Sequence, residues 1–251
     1  MGIEPNVVMS VLKLTVNGQI PNDLISREAN LPLRTTEELL SKLQNEGLIS
    51  MRGNLVEVTF SQRADLGVFA VQHGADPLTV SALLSWQEFE SISAIAFERN
   101  GYRVAKNLRF RQGGRKWEMD IIGMREPLLV CADCKQWRHG LNLSALQRIT
   151  EAQVARAKAL SCSPSMLFEK LKCNRTERIT LVPVVISLIA TKSKFYSGTP
   201  IVPVFQLHDF LNQLPLHLDT LLCLSSGACQ KTGEQQQHKS KDLKRERQKI
   251  F

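Results

Sequence analysis

The stretch RVAKNLRFRQGGRKWEMDIIGMREPLLVCADCK, residues 103–135, decides how the chain is read. Three blocks rich in β-forming residues, 103–111, 115–124 and 127–135, are separated by Gln112-Gly113-Gly114 and by Arg125-Glu126-Pro127. Apolar and β-branched runs between glycine- and proline-containing breaks predict three short strands in hairpin succession. Side chains alternate along a strand, so Asp133 and Lys135 share one face of the third strand and Cys134 takes the other. Cys131 lies on the Asp133 face but further along. Asp120 falls near the middle of the second strand.

The pattern extends in both directions. SWQEFESISAIAFERN reads as a helix stopped at Asn100-Gly101. Downstream, 142–160 is a strong helix and 161–177 a loop or short helix. Residues 178–190 and 200–205 read as strands, with a closing helix at 207–214. The order is α-β-β-β-α-β-(β)-α. Upstream, 7–16 predicts a first helix, Pro21-Asn22 opens a second, and Thr35 or Thr36 caps a third that Gly47 closes. Leu39, Leu40 and Leu43 form the core stripe of that third helix. Residues 48–60 read as a hairpin turning at Arg52-Gly53-Asn54, and 61–75 as a connecting helix ended by Asp76-Pro77. The expected division is 1–60, a linker at 61–79, a second domain at 80–224, and a polar tail at 225–251 that is expected to be disordered.

Composition sets the class. The chain has 251 residues, with Lys+Arg 32 against Asp+Glu 24. Half of the +8 net charge sits in residues 231–251, which suits polyanion binding without establishing it. The first residues lack a charged segment before an apolar core, Asn6 breaks the myristoylation pattern, and the most apolar run, 181–190, is far short of the ~20 residues of a membrane helix. A cytoplasmic, nucleoid-associated protein without membrane contact is expected. The six cysteines have no export signal to suggest disulfides. Cys131 and Cys134 point to opposite faces, Cys162 and Cys173 lie in a loop, and Cys223 and Cys229 lie near the tail. Neither zinc nor an iron–sulfur cluster is expected.

Asp120, Asp133 and Lys135 are a set that metal-dependent phosphodiester hydrolysis can use. A hard cation needs clustered oxygen ligands, and the phosphate needs a balancing charge. The backbone carbonyl of Cys134 is a further candidate ligand. The alternative is a surface cluster in which Lys135 balances two carboxylates. Gln153 interrupts the stripe Leu146, Ile149, Leu160; it either points at the site or is satisfied by nearby backbone. The arm 103–116 carries six basic residues and no acidic one, with Arg109 and Arg111 on one face and Arg115 and Lys116 beyond the turn. It reads as a phosphate-backbone track, or as a charged hairpin edge that resists aggregation. Trp137, Arg138 and His139 follow Lys135 and are candidates to line the same cleft.

Residues 84–214, carried by Phe89-Glu90, Gly101-Tyr102, Glu118-Met119-Asp120-Ile121-Ile122 and Asp133-Cys134-Lys135, resemble the PD-(D/E)XK nuclease superfamily. The likeness is closest to the Mrr-like restriction endonucleases and archaeal Holliday-junction resolvases. Residues 5–60 resemble the winged helix-turn-helix family. Together they imply a mixed α/β (α+β) fold, with a winged helix followed by a restriction-endonuclease-like αβββαβ core on a mixed sheet. The resemblance implies metal ligation by Glu90, Asp120 and Asp133, with Glu88 a substitute for Glu90. It makes Lys135 the lysine that positions or activates the attacking water, and Gln153 an accessory residue. Met119 stands where the motif has Pro, and Asp133 where Glu is more frequent. The implied activity is a Mg²⁺-dependent (or Mn²⁺-dependent) DNA endonuclease that leaves a 5′-phosphate and, by analogy with the class, acts as a homodimer. The rivals are a DNA-binding regulator with an inactive nuclease-like domain, and an enzyme specific for branched DNA. From the winged helix, Thr35, Thr36, Lys42, Gln44 and Arg52 are candidate DNA contacts; protein contact is the other use of such a unit, since Glu37, Glu38 and Glu46 reduce its basicity.

Overall fold

A computed structural model describes residues 5–135, 142–163, 165–174, 178–188, 190–191 and 193–226. Trp137, Arg138, His139, Cys229 and the tail from 227 lie outside them.

The first helices are short and amphipathic, and they bury one stripe each. Helix α1 (Pro5–Leu14) buries Val7, Val8, Val11 and Leu12. Strand β1 (Ile20–Pro21) leads into helix α2 (Asn22–Ala29), which Asn30 ends in the left-handed conformation. Helix α3 (Leu33–Asn45) buries the expected Leu39, Leu40 and Leu43. It starts a turn earlier than Thr35 or Thr36 as cap, with Pro32 before it. Strands β2 (Ser50–Arg52) and β3 (Leu55–Glu57) form the expected hairpin, turning at Gly53 with φ 62°. β1 adds a third strand, giving the order β1-β3-β2.

The segment expected as a linker is instead part of the core. Helix α4 (Phe60–Gln72) opens on a Thr59/Gln62 capping box. α4 ends at Gln72, with left-handed Gly74 closing it, and Asp76-Pro77, expected to end that helix, instead starts helix α5 (Pro77–Leu83). The Asp76 carboxylate accepts from the Thr79 N–H at 2.9 Å, and proline suits the first helical position. Ala64, Leu66, Ala70 and Val80 are buried in one continuous apolar cluster with Leu12 and Leu40 on one side and Phe89 and Phe97 on the other.

Arg63 binds these parts together. Its Nε donates to Glu88 Oε1 at 2.5 Å, Nη1 to the Leu12 carbonyl at 2.7 Å and to Thr15 Oγ1 at 3.2 Å, and Nη2 to the Leu83 carbonyl at 3.0 Å. Both members of the ion pair are buried. Glu88 also closes the capping box of helix α6 (Trp86–Arg99), where Oε2 accepts from the Ser85 N–H at 2.7 Å. Glu88 is thereby committed to the fold and is no substitute for Glu90.

The large sheet follows the expected order. Strands β4 (Arg103–Gln112), β5 (Arg115–Arg125) and β6 (Leu128–Lys135) form an antiparallel meander, with a Gly113-Gly114 turn of positive φ at both residues. Helix α7 (Leu143–Ser161) then crosses to β7 (Thr180–Ser187), which pairs parallel to β6. Strands β8 (Phe195–Tyr196) and β9 (Thr199–Pro203) continue the sheet, helix α8 (Leu207–Gln213) follows, and β10 (Leu224–Ser225) pairs antiparallel with β7. The order is β4-β5-β6-β7-β9-β8, a mixed sheet. A π-turn at Ser165–Lys170 occupies part of the stretch read as loop or short helix. Pro183 is tolerated inside β7 because β10 pairs with that strand at Thr180 and Leu181 and β9 only from Val185 onward.

β6 is covered on both faces, which explains its unbroken apolar run. Val130, Ala132 and Cys134 pack with Phe89, Phe97, Leu207 and Leu211 of α6 and α8. Leu129 and Cys131 pack with Ala157 and Leu160 of α7. The two cysteines therefore lie on opposite sides of the sheet, as strand alternation requires. On the α6 side the approach is close: a Cβ on Gly123 would lie 2.3 Å from the Phe97 ring. No described helix is long and apolar enough to cross a membrane.

Replacing Arg63 with Met strands a buried carboxylate and should cost about 3–5 kcal/mol in urea unfolding. Arg63→Met combined with Glu88→Leu should recover most of that loss, because the apolar pair leaves no buried charge. Full additivity of the two single losses would show that the ion pair does not couple them. Gly123→Ala should destabilise by about 1–3 kcal/mol through overpacking against Phe97, read from the same unfolding curves.

Candidate active site

The site forms where one rung of the sheet is missing. Met119 and Ile121 are two apart, yet Met119 joins the core on the α7 side and Ile121 the core on the α6 side. The alternation of β5 therefore breaks at Asp120. Across the hairpin, the facing residue of β4 is Asn107, whose φ of 51° is left-handed. Pairing of β5 with β6 stops at Ile121↔Ala132. Continued, the register would set Met119 against Cys134, and their backbones would exchange hydrogen bonds.

Side chains serve those backbone groups instead. Asp120 Oδ2 accepts from the Cys134 N–H at 2.8 Å. Lys135 Nζ donates to the Cys134 carbonyl at 3.2 Å. The N–H and C=O of one strand residue point the same way, so Asp120, the Cys134 carbonyl and the Lys135 ammonium gather on one edge of β6. Lys135 Nζ also donates to Asp133 Oδ1 at 2.9 Å. Asp133 is 3% exposed, and the Lys135 ammonium lies 2.9 Å from its Oδ2 as well.

Helix α7 supplies the other wall. Gln153 is fully buried, and its Nε2 donates to the Cys131 carbonyl at 2.6 Å and to the Met119 sulfur at 3.3 Å. Arg156 Nη1 donates to Asp133 Oδ1 at 3.1 Å and to Gln153 Oε1 at 3.4 Å. The amide of Gln153 is thus satisfied by backbone, and its carbonyl meets Arg156 at the edge of the cleft. Arg115, Lys116, Trp117, Glu118, Arg148 and Glu151 rim a cleft of about 580 Å³ above Asp120, Asp133, Lys135 and Arg156. Burial raises the Asp120 carboxyl above its ordinary value. The Cys134 N–H bond opposes that shift, the Asp133 charge reinforces it, and Lys135 and Arg156 pull it back. Burial alone pushes the Cys131 thiol up to about 12.

The structure brings together Asp120, Asp133, Lys135, Gln153, Arg115 and Lys116. Glu90 stands apart on α6, where its charge is felt by the Cys134 thiol on the other face of the sheet. Among the described residues no three of His, Cys, Asp and Glu converge on one point, so Glu90 does not complete a three-carboxylate set. What remains is hard-oxygen in kind, two carboxylates and a main-chain carbonyl, with Lys135 against both Asp133 and that carbonyl. Arg109 and Arg111 are exposed on the hairpin, outside the cleft lining, and Arg109 pairs with Glu118 at 3.1 Å. Thr36 is fully buried and its hydroxyl donates to the Pro32 carbonyl, so it cannot contact DNA. Thr35 and Lys42 are half-buried; Gln44 and Arg52 are exposed. Arg148 and Arg156 were missed by the sequence reading. The signal for Arg156 was present: three residues past Gln153 and seven past Ile149, it interrupts the same helical stripe.

No protein-family model matches the chain. An uncharacterised protein of Archaeoglobus fulgidus is 27% identical over 138 residues, which is 54% of this chain and 95% of that one. A crystal structure of a protein of unknown function overlaps 42% of this chain and 49% of its own, at a TM-score of 0.28 and 14% identity. A crystal structure of a Vibrio cholerae protein overlaps 86% of this chain and 51% of its own, at a TM-score of 0.38 and 12% identity. The matched region thus spans about half the length of either solved chain. Structural similarity at this level bears on neither fold nor activity.

Asp120→Ala removes the acceptor that replaces the missing rung. Amide exchange at Cys134 should accelerate, with a stability loss of about 1–3 kcal/mol, whereas Asp120→Asn keeps an acceptor oxygen and most of the protection. Unchanged exchange in the alanine variant would show that this amide is not held by Asp120.

Proposed function

We propose that the chain is a divalent-metal-dependent endonuclease acting on DNA. Residues 80–224 serve as a restriction-endonuclease-like catalytic domain, and the first 60 as a winged helix that brings it to its target. The observation that carries the reading is the grouping of Asp120, Asp133 and Lys135 around the unpaired edge of β6, inside a cleft rimmed by Arg115, Lys116 and Arg148. Asp120, Asp133 and the Cys134 carbonyl would hold Mg²⁺ or Mn²⁺; Glu90, outside the cleft, is left out of that set. Such an ion supplies Lewis acidity at the phosphate and a lowered pKa for its water. Lys135 holds a positive charge between Asp133 and the Cys134 carbonyl, where it can orient attacking water or balance phosphate charge. Gln153 fixes the wall from which Arg156 reaches Asp133. Arg115 and Lys116 offer the strand backbone two cations without reading sequence.

One observation favours a second reading, a DNA-binding regulator whose nuclease-like domain is structural. The floor is balanced within the fold, with Asp133 paired to Lys135 and Arg156 and Asp120 engaged by Cys134. Cleavage separates the two. Linear, nicked and branched DNA incubated with Mg²⁺ or Mn²⁺ should be cut by the wild type. Lys135→Ala and Asp120→Asn should lower the rate at least about 10²-fold, the scale of losing one charge-stabilising group. Cutting that survives both substitutions unchanged places the chemistry elsewhere; tight DNA binding with no cutting by the wild type selects the regulator.

A further inference from the structure

Arg156 uses only part of its donor set inside the protein. Its Nη1 makes both of its contacts, to Asp133 at 3.1 Å and to Gln153 at 3.4 Å. Among the described residues, neither Nε nor Nη2 has an acceptor. The side chain is 28% exposed and lines the cleft next to Asp120, Lys135 and Arg148. Asp133 already has the Lys135 ammonium, brought from two residues away on the same strand. A second cation, part-buried and delivered from a different element beside a fully buried glutamine, is more than charge balance for Asp133 needs. A guanidinium presents its N–H groups as a rigid planar fork that matches two oxygens of a phosphate, and one edge of this fork is left over.

We propose that Arg156 is a phosphodiester-binding residue of the cleft. Nη1 stays on Asp133 and Gln153 while Nε and Nη2 take one non-bridging pair of phosphate oxygens. The assignment of the phosphate to a nucleic acid strand rests on the endonuclease reading above. One rigid group then fixes the distance between the strand's phosphate and the Asp133 carboxylate, through a helix residue anchored on the Cys131 carbonyl.

The test is binding, read without turnover. A fluorescein-labelled DNA duplex is titrated into the full chain in EDTA at several salt concentrations, for the wild type, Arg156→Lys and Arg156→Gln. Arg156→Gln should weaken binding about ten- to hundredfold, the range for a lost hydrogen bond to a charged group. It should also reduce the slope of log K against log salt by about 1, as removal of one phosphate contact does. Arg156→Lys keeps the charge beside Asp133 and should keep the slope while losing part of the affinity. Replacing phosphates one at a time by neutral methylphosphonates then locates the contact. One position should weaken wild-type binding and have no effect on Arg156→Gln. A purely structural Arg156 would move the thermal midpoint and leave both the salt slope and the methylphosphonate profile as in the wild type, which would overturn the proposal. Failure of the wild type to bind DNA would overturn the endonuclease reading and this one together; an unchanged profile in Arg156→Gln overturns this one alone.

Discussion

The buried pair of Arg63 and Glu88 is the constraint on which the remainder of the structure rests. Taking two charges out of water is tolerable only when every donor and acceptor finds a partner. Here the guanidinium meets that demand by accepting work at several places at once. It serves the Leu12 carbonyl at the end of α1, the Leu83 carbonyl at the end of α5, and a carboxylate in the first turn of α6. The last carbonyls of a helix lack partners of their own, so the arginine supplies what two helix ends would otherwise leave unmet. The direction in which α6 enters the molecule is fixed by the same contacts. α6 in turn sets Phe97 over Gly123 and closes one face of β6.

From there the candidate site follows by subtraction. β6 keeps β7 as a parallel neighbour along its length but loses β5 after Ala132. Its edge would be left with an unsatisfied N–H and C=O, and Asp120 and Lys135 take them up. The polar groups that define the cleft are therefore also those that finish the sheet. The candidate site and the sheet edge share these atoms.

Much of this was legible in the sequence. Period-two alternation placed Asp133 and Lys135 together and the two cysteines apart, since a strand buried on both faces leaves little room for another arrangement. The glycine pair at 113–114 and the Asn100-Gly101 stop fixed the ends of the elements that carry the site. The break at Asp120 was not legible. It depends on one left-handed asparagine in the neighbouring strand and on where cross-strand pairing ends, and neither has a local signature. Glu90 is grouped with the carboxylates by analogy with a motif; the structure sets it on α6, outside the cleft lining. Thr36 looked like a surface residue of the third helix because the helix start was set a turn too late; starting at Leu33 turns it inward. The linker was misread for a related reason. Asp76-Pro77 is as good a beginning for a helix as an ending, and only the core shared by α4, α5 and α6 decides between them.

The charges on the floor of the cleft have one more consequence. Asp120 and Asp133 are matched by Lys135 and Arg156, two formal negative charges against two positive ones. A neutral cluster has a field that dies away within a few ångströms, well inside the screening length of physiological salt. The +8 of the chain therefore acts on distant anions from other places, among them the exposed arginines of the hairpin arm and the basic C-terminal residues. Long-range attraction and short-range positioning are assigned to different parts of the molecule. Ionic strength screens the first at a distance, and reaches the second only through the counterions that each phosphate contact releases.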